Sequence, residues 1–337
     1  MQVASLREFE VMRNRIPVAL CWLLLSVMLA GCDSAGQGSN SSTHGHQHGA
    51  TGELRATYQG KFPIKVVCTT GMVADLVRNV GGERVAVEQL MGEGVDPHLY
   101  KASTGDIAKL SESDAIFYSG LHLEGKMGDV FVRLARRRPT FAVTEGVPVN
   151  RVRELAEGHF DPHLWFDVSL WSDAATVVRD ALVEFDPPHA AEYKSRAEAY
   201  RAELAKLHQY CRDQLATIPK DRRVLVTAHD AFFYFGDAYD LEVKAIQGIS
   251  TDSEAGVKEI NDLVDFLVKR GIKAVFVETS VSDRNIRALA EGSQSRGHKV
   301  TIGGELFSDA MGQPGTPEGS YVGMVRHNVD TIVKALK

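Results

Sequence analysis

Cysteine is scarce in this chain, with four among 337 residues. Cys68 lies in a strand-like run and Cys211 on the apolar stripe of a helix. Neither has a spacing that demands a disulfide, so buried thiols are expected. Basic residues are outnumbered, 38 against 44 acidic ones, for a formal charge of -6. That balance offers no basic footprint and excludes nucleic acid as a partner. A membrane-spanning run is missing too: the apolar stretch Ile16 to Ala30 has about fifteen residues, against the roughly 20 that a spanning helix needs. What is present, 44% hydrophobic and 24% charged, is an ordinary folded composition. The length suits two α/β lobes better than one core.

Arg7, Arg13 and Arg15 precede the short apolar run, as a basic n-region precedes a secretory h-region. The run ends in Leu29-Ala30-Gly31-Cys32, which resembles the bacterial lipobox, where cleavage leaves the cysteine lipidated at the new N-terminus. Residues 1–31 are thus expected to be a lipoprotein signal peptide and Cys32 a membrane anchor, since several acyl chains hold where one holds only marginally. Cleavage removes three basic and two acidic residues and leaves a formal charge of -7. Asp33 resembles the signal that retains some Gram-negative lipoproteins at the inner membrane, which in such a host puts the protein on the periplasmic side. Residues 32–60 are rich in Gly, Ser, Gln and Thr and read as a flexible tether. Its alternating His44, His46 and His48 read as an auxiliary metal-collecting tract.

From Lys61 the pattern becomes that of a folded α/β chain. Strands are expected at Ile64–Cys68, Val85–Leu90, Ala115–Tyr118 and Thr140–Val143, with helices between them, which argues a mostly parallel sheet. The same grammar returns at Arg223–Thr227, Glu242–Ala245, Ala274–Val277 and Lys299–Ile302, and a last helix spans Tyr321–Leu336. Between the halves, apolar residues recur in steps of three and four from Ala190 through Tyr193, Tyr200, Leu207 and Cys211 to Ile218. Asp186 is the expected N-cap and Pro187 the first helical residue, with Pro219 ending the helix. The organisation is therefore an N-terminal α/β lobe at 61–185, a long rigid linking helix at 186–218 and a C-terminal α/β lobe at 219–337.

Asp96-Pro97-His98-Leu99-Tyr100 and Asp161-Pro162-His163-Leu164-Trp165 are near-copies in irregular stretches. Each proline stiffens the loop that presents the histidine, which suggests two convergent metal ligands. Asp186-Pro187-Pro188-His189 looks like a third copy, but opening the long helix accounts for it. His229 follows the strand Val226-Thr227-Ala228, at the strand end where open α/β sheets bind ligands. Asp309, beyond the last strand, and Glu278, at the end of Val275-Phe276-Val277, are rival carboxylates. Elementary chemistry does not separate them.

Six ordered motifs resemble the zinc- and manganese-binding receptors of ABC-type metal importers. They are the two Asp-Pro-His segments, Thr227-Ala228-His229-Asp230-Ala231-Phe232, Ile246-Gln247-Gly248-Ile249-Ser250-Thr251, Val277-Glu278-Thr279-Ser280-Val281 and Leu306-Phe307-Ser308-Asp309-Ala310. The resemblance implies two α/β lobes on a long helix with the metal in the interlobe cleft. It puts the four ligands at His98, His163, His229 and Asp309, ahead of Glu278. It also implies delivery of the ion to a permease with an ATPase subunit, by a monomer that catalyses no reaction. Three imidazoles and one carboxylate suit Zn²⁺, whereas Mn²⁺ prefers more oxygen. Manganese-type relatives usually carry a glutamate at the place of His229, though some sets like this one serve both metals. A zinc hydrolase, with Glu278 or Asp230 as base, would need an open coordination position. A metal-stapled adhesin is the third reading.

Overall fold

Period-two alternation in the strands divides their side chains between a shared core and two private ones. The computed structural model describes residues 57–337 except Glu157; Cys32, His44, His46 and His48 lie outside the described residues. The first sheet comprises β1 (Ile64–Cys68), β2 (Val85–Gln89), β3 (Ala115–Tyr118) and β4 (Thr140–Ala142), all parallel in the order β2-β1-β3-β4. A short antiparallel hairpin, β5 (Glu154–Ala156) and β6 (His159–Phe160), leads away from it. The second half holds two parallel pairs: β7 (Val224–His229) with β8 (Glu242–Gln247), and β9 (Ala274–Glu278) with β10 (Thr301–Leu306).

Helices supply the crossovers that parallel strands require. They are α1 (Gly71–Gly81), α2 (Thr104–Glu112), α3 (Gly128–Ala135), α4 (Val168–Phe185), α5 (Ala190–Leu215), α6 (Phe233–Tyr239), α7 (Val257–Arg270), α8 (Arg284–Ser295) and α9 (Tyr321–Leu336). Local chemistry starts several of them. Thr70 caps α1, Asp167 caps α4, Ser320 caps α9, and Ser103 with Asp106 forms a capping box at α2. Among the described residues, no helix is long and apolar enough to cross a membrane.

Val66, Cys68, Ala115 and Phe117 of the first sheet join Leu225, Ala274 and Phe276 of the second half in one apolar cluster. Helices α1, α4, α5 and α9 complete it, through residues such as Leu76, Trp171, Leu204 and Val329. The alternate residues face the other way. Val67 and Ile116 pack with Leu110 and Phe131, whereas Val224, Val226 and Val275 pack with Leu263, Leu267 and Leu289. Each half thus has its own core, and both press against the helical layer around α5.

The long helix is shorter than its apolar stripe suggests: 26 residues, or roughly 39 Å at 1.5 Å per residue. Pro187-Pro188-His189 form a 3₁₀ turn before it, and Asp186 caps no backbone N–H of the helix. Its carboxylate accepts from His189 Nδ1 at 2.8 Å and Tyr193 Oη at 2.6 Å instead. The stripe itself is buried as expected, at Tyr193, Ala197, Tyr200, Leu204, Leu207, Cys211 and Leu215. Cys68 and Cys211 are free and buried, and burial raises both thiol pKa values, that of Cys211 to about 12. The last strand also differs from expectation, running to Leu306 rather than Ile302. Gly303 and Gly304, beyond the expected end, sit inside the strand at a bulge, and a Cβ on Gly303 would lie 2.7 Å from that of Ala335.

Leu204 is fully buried on α5 in the shared cluster, where truncation leaves a cavity. Leu204→Ala should cost about 2–5 kcal/mol in chemical denaturation of the metal-free protein. A loss below about 1 kcal/mol would mean that α5 is not the joint between the two halves.

Candidate metal centre

The two Asp-Pro-His segments lock their histidines by the same device. Asp96 Oδ1 accepts from the His98 backbone N–H at 2.8 Å, and Asp161 Oδ1 accepts from that of His163 at 3.0 Å. Proline between each pair fixes the turn, and a left-handed glycine precedes each, Gly94 at φ 69° and Gly158 at φ 75°. Asp161 Oδ1 also lies 2.8 Å from His163 Nδ1, an arrangement that favours the Nδ1–H tautomer and directs Nε2 inward. Asp96 Oδ2 accepts from Thr251 Oγ1 at 2.5 Å, tying the first loop to the second half of the chain.

His229 is the last residue of β7, and Glu278 is the last residue of β9 beside it. Glu278 Oε1 accepts from the backbone N–H groups of Ala228 and His229 at 2.7 and 3.0 Å, and Oε2 accepts from His229 Nδ1 at 2.6 Å. Three donors thus fill the Glu278 carboxylate. Asp309 is different. It is three residues beyond β10, in a loop pinned where Trp165 Nε1 donates to Ser308 O at 3.1 Å. Neither of its buried oxygens has a hydrogen-bond partner, and neither does His229 Nε2.

One donor atom from each of His98, His163, His229 and Asp309 lies within 4.8 Å of the other three, and all four residues are buried. His98 Nε2 is 3.3 Å from His163 Nε2 and 3.5 Å from Asp309 Oδ2. Asp309 Oδ1 is 3.6 Å from His163 Nε2, and Oδ2 is 3.1 Å from His229 Nε2 without hydrogen-bond alignment. Four donors around Zn²⁺ at 2.0–2.1 Å stand about 3.3 Å apart along a tetrahedral edge. The cluster has the dimensions of that shell. Burying such groups unpaired is costly, and a cation at their centre offsets the cost.

Burial pushes the His98 imidazole down to about 4, against a smaller upward pull from Asp309. His229 moves the other way. Burial lowers it, but the Asp309 and Glu278 carboxylates together outweigh burial and hold it well above the usual histidine range. Burial raises the Asp309 carboxyl, yet His229 and the other two imidazoles bring it well below its usual value.

The supporting residues were less visible in the sequence than the four that converge. Asp96 and Asp161 stood two places before each histidine, where only the proline was read. Nothing in the spacing linked Glu278 to a ring 49 positions away. His189 is elsewhere, bonded to Asp186, and Asp230 is half-buried beside His229 with its carboxyl raised to about 6 by burial, partly offset by His229.

A buried cluster of three imidazoles and one carboxylate between parallel α/β layers defines a metal-binding receptor. The chain belongs to the family described as zinc-uptake complex component A, periplasmic, whose sequence model matches residues 66–335. It is 50% identical to the zinc-binding protein TroA of Treponema pallidum, across 85% of this chain and 92% of that protein. The solved structure of that periplasmic zinc-binding protein superposes with a TM-score of 0.79 over 81% of this chain and 99% of its own. The chain is also 44% identical to the manganese-binding lipoprotein MntA of Bacillus subtilis, across 97% of this chain and all of that protein. It is 31% identical to the metal ABC transporter substrate-binding lipoprotein SloC of Streptococcus mutans, across 81% and 90% of the two. By its name, that last relative is the substrate-binding component of a metal ABC transporter.

The Asp309 and Glu278 carboxylates favour a proton on His229, so a metal ion bound there would have to displace it. Affinity should therefore rise about tenfold per pH unit through neutrality and level off only above the ordinary histidine range. His98 adds a second competing proton only near pH 4. Titrations of one metal in several buffers should detect about one proton released per ion. A pH-independent affinity from pH 6 to 8 would overturn this assignment.

Proposed function

We propose that this protein captures one divalent transition metal ion outside the cytoplasm, zinc ahead of manganese, and passes it to an ABC permease with its ATPase subunit. His98, His163, His229 and Asp309 are the ligands in this reading, and Glu278 orients His229 rather than competing for the metal. The observation that carries it is the convergence of four buried donors whose inward atoms include three without a hydrogen-bond partner. Lipidation at Cys32 would hold the receptor at the extracytoplasmic face of the membrane, and the His44–His48 tract would collect ions on the tether.

Residues 61–185 and 219–337 act as the two lobes around the long helix. His98 and His163 come from the first and His229 and Asp309 from the second, so a small relative shift breaks the shell and frees the ion. Four protein donors leave no open position for a reacting water. Glu278, with three donors already on its carboxylate, is not free to serve as a base.

His98→Ala or His163→Ala should weaken zinc binding on the order of 100-fold or more, because an incomplete shell replaces a closed one. His189→Ala should leave it unchanged. Competition against a chromogenic chelator checks this, and equal losses in all three variants would defeat the ligand assignment.

Zinc preference rests on nitrogen count, since the Irving–Williams order favours Zn²⁺ at nitrogen-containing sites. The unpaired second oxygen of Asp309 would let the shell expand for Mn²⁺. His229→Glu should narrow the gap between zinc and manganese affinities, mainly by weakening zinc. An unchanged or wider ratio at one pH would remove His229 as the determinant of preference.

A further inference from the structure

The formal charge of -6 conceals a concentration of arginine at one edge of the first sheet. Arg133, Arg136, Arg137 and Arg138 lie within six residues where α3 ends and β4 begins. The first three are exposed and have no carboxylate partner among the described residues. Arg138 is anchored by donating to Ser113 O. Val132, one turn before Arg136, is 61% exposed.

The backbone fixes which edge this is. Ile116 N donates to Pro139 O, and Asp114 N donates to Lys65 O, so the arginines adjoin the first residues of β3 and β1. All four strands run from this edge towards the loops of the metal centre. The chain also joins the fold here. Tyr58 Oη donates to Lys61 O at 2.5 Å and to Asp114 Oδ2 at 3.3 Å, and Asp114 Oδ2 accepts from Lys65 N at 2.8 Å. Lys61 and Lys65 add two more exposed ammonium groups without a carboxylate partner among the described residues. The nearby carboxylates are Asp114, held by Tyr58 and Lys65, the exposed Glu112 at the end of α2, and the exposed Asp129 one turn before Arg133 on α3.

We propose that this basic edge is a second membrane contact, which rests on anionic lipid headgroups and turns the metal centre towards the surrounding medium. Its occupant is a phospholipid surface because the patch lies where the membrane-linked tether joins the fold, and because guanidinium groups pair with phosphate in two-point geometry. Arginines near an anionic surface each contribute about fivefold in binding, and an anchor at Cys32 would hold the headgroups at high effective concentration. Free affinity can therefore be weak. The biological setting rests on the extracytoplasmic, anchored reading above, but the contact itself needs no acyl chain.

The test uses the mature chain with Cys32→Ser, so that no lipid is attached. Cosedimentation with phosphatidylcholine vesicles, with and without phosphatidylglycerol, measures the contact. Binding should require phosphatidylglycerol, fall with added salt, and drop on the order of 100-fold in R133E/R136E/R137E. Zinc affinity, measured on the same samples, should be unchanged, and this separates the contact from the receptor reading. Equal binding to both vesicle types, no binding to either, or full binding by the triple variant would overturn the proposal. A triple variant whose melting temperature falls is replaced by R133Q/R136Q/R137Q, read against the same outcomes.

Discussion

A buried imidazole binds metal only if its inward nitrogen is bare and its ring cannot turn. In this fold, carboxylates of the same chain impose that condition. Glu278 does it across two strands, gripping the end of β7 by two backbone N–H groups and the His229 ring by a third bond. Asp161 does it within one turn, holding both the backbone and the ring of His163. Tyr234 Oη, donating to Asp161 O at 3.0 Å, ties that turn to the second half. The positions of the four converging residues follow from these fixed points, and the fixed points follow from β7 and β9 lying side by side.

The shared apolar cluster limits how such a site can open. Residues of both sheets and of α1, α4, α5 and α9 belong to it, so a wide swing of one half would expose apolar surface at roughly 25 cal/mol per Å². The His98 loop carries little of that penalty, with Leu99 46% exposed, whereas Leu164, Trp165 and Met311 beside His163 and Asp309 belong to the cluster. His98, His163 and Asp309 all sit on loops, and only His229 belongs to a strand. Displacing the His98 loop is therefore the cheapest way to separate these four residues. Thr251 on Asp96 is the bond that such a displacement would have to release, whereas Trp165 on Ser308 pins the loop of Asp309.

Much of this was legible in one dimension because short-range physics produced it. Parallel strands read as apolar runs, and the stripe of α5 is buried from Tyr193 to Leu215, though Ala190 at its start is only partly buried. The Asp-Pro-His copies were visible because proline and histidine are rare enough for a repeat to stand out. Where local signals mislead, tertiary contact had decided. The last strand was expected to end at Ile302, but β10 continues through Gly303-Gly304, where closeness to α9 requires glycine. Pro187-Pro188 looks like a helix start, yet forms a separate turn. The role of Glu278 was hidden because its three partners lie on another strand, so a lone carboxylate at a strand end looks the same whether it binds metal or a ring.

Orientation by carboxylates carries a cost that the centre distributes unevenly. Glu278 steadies His229 but, with Asp309, also raises its proton affinity, so the best-held ring is the one most occupied by a proton. His98 has no carboxylate on Nδ1 among the described residues, and burial leaves its ring neutral at ordinary pH. It is the most exposed of the four, at 4%, and its neighbour Leu99 is 46% exposed. His98 is thus the residue of the four nearest to solvent, with His163 Nε2 3.3 Å from its own Nε2. A positive charge beside Asp309 would weaken the field that favours a proton on His229. Under the proposed ligand set, proton loss at His229 would close the shell and proton return would favour opening it.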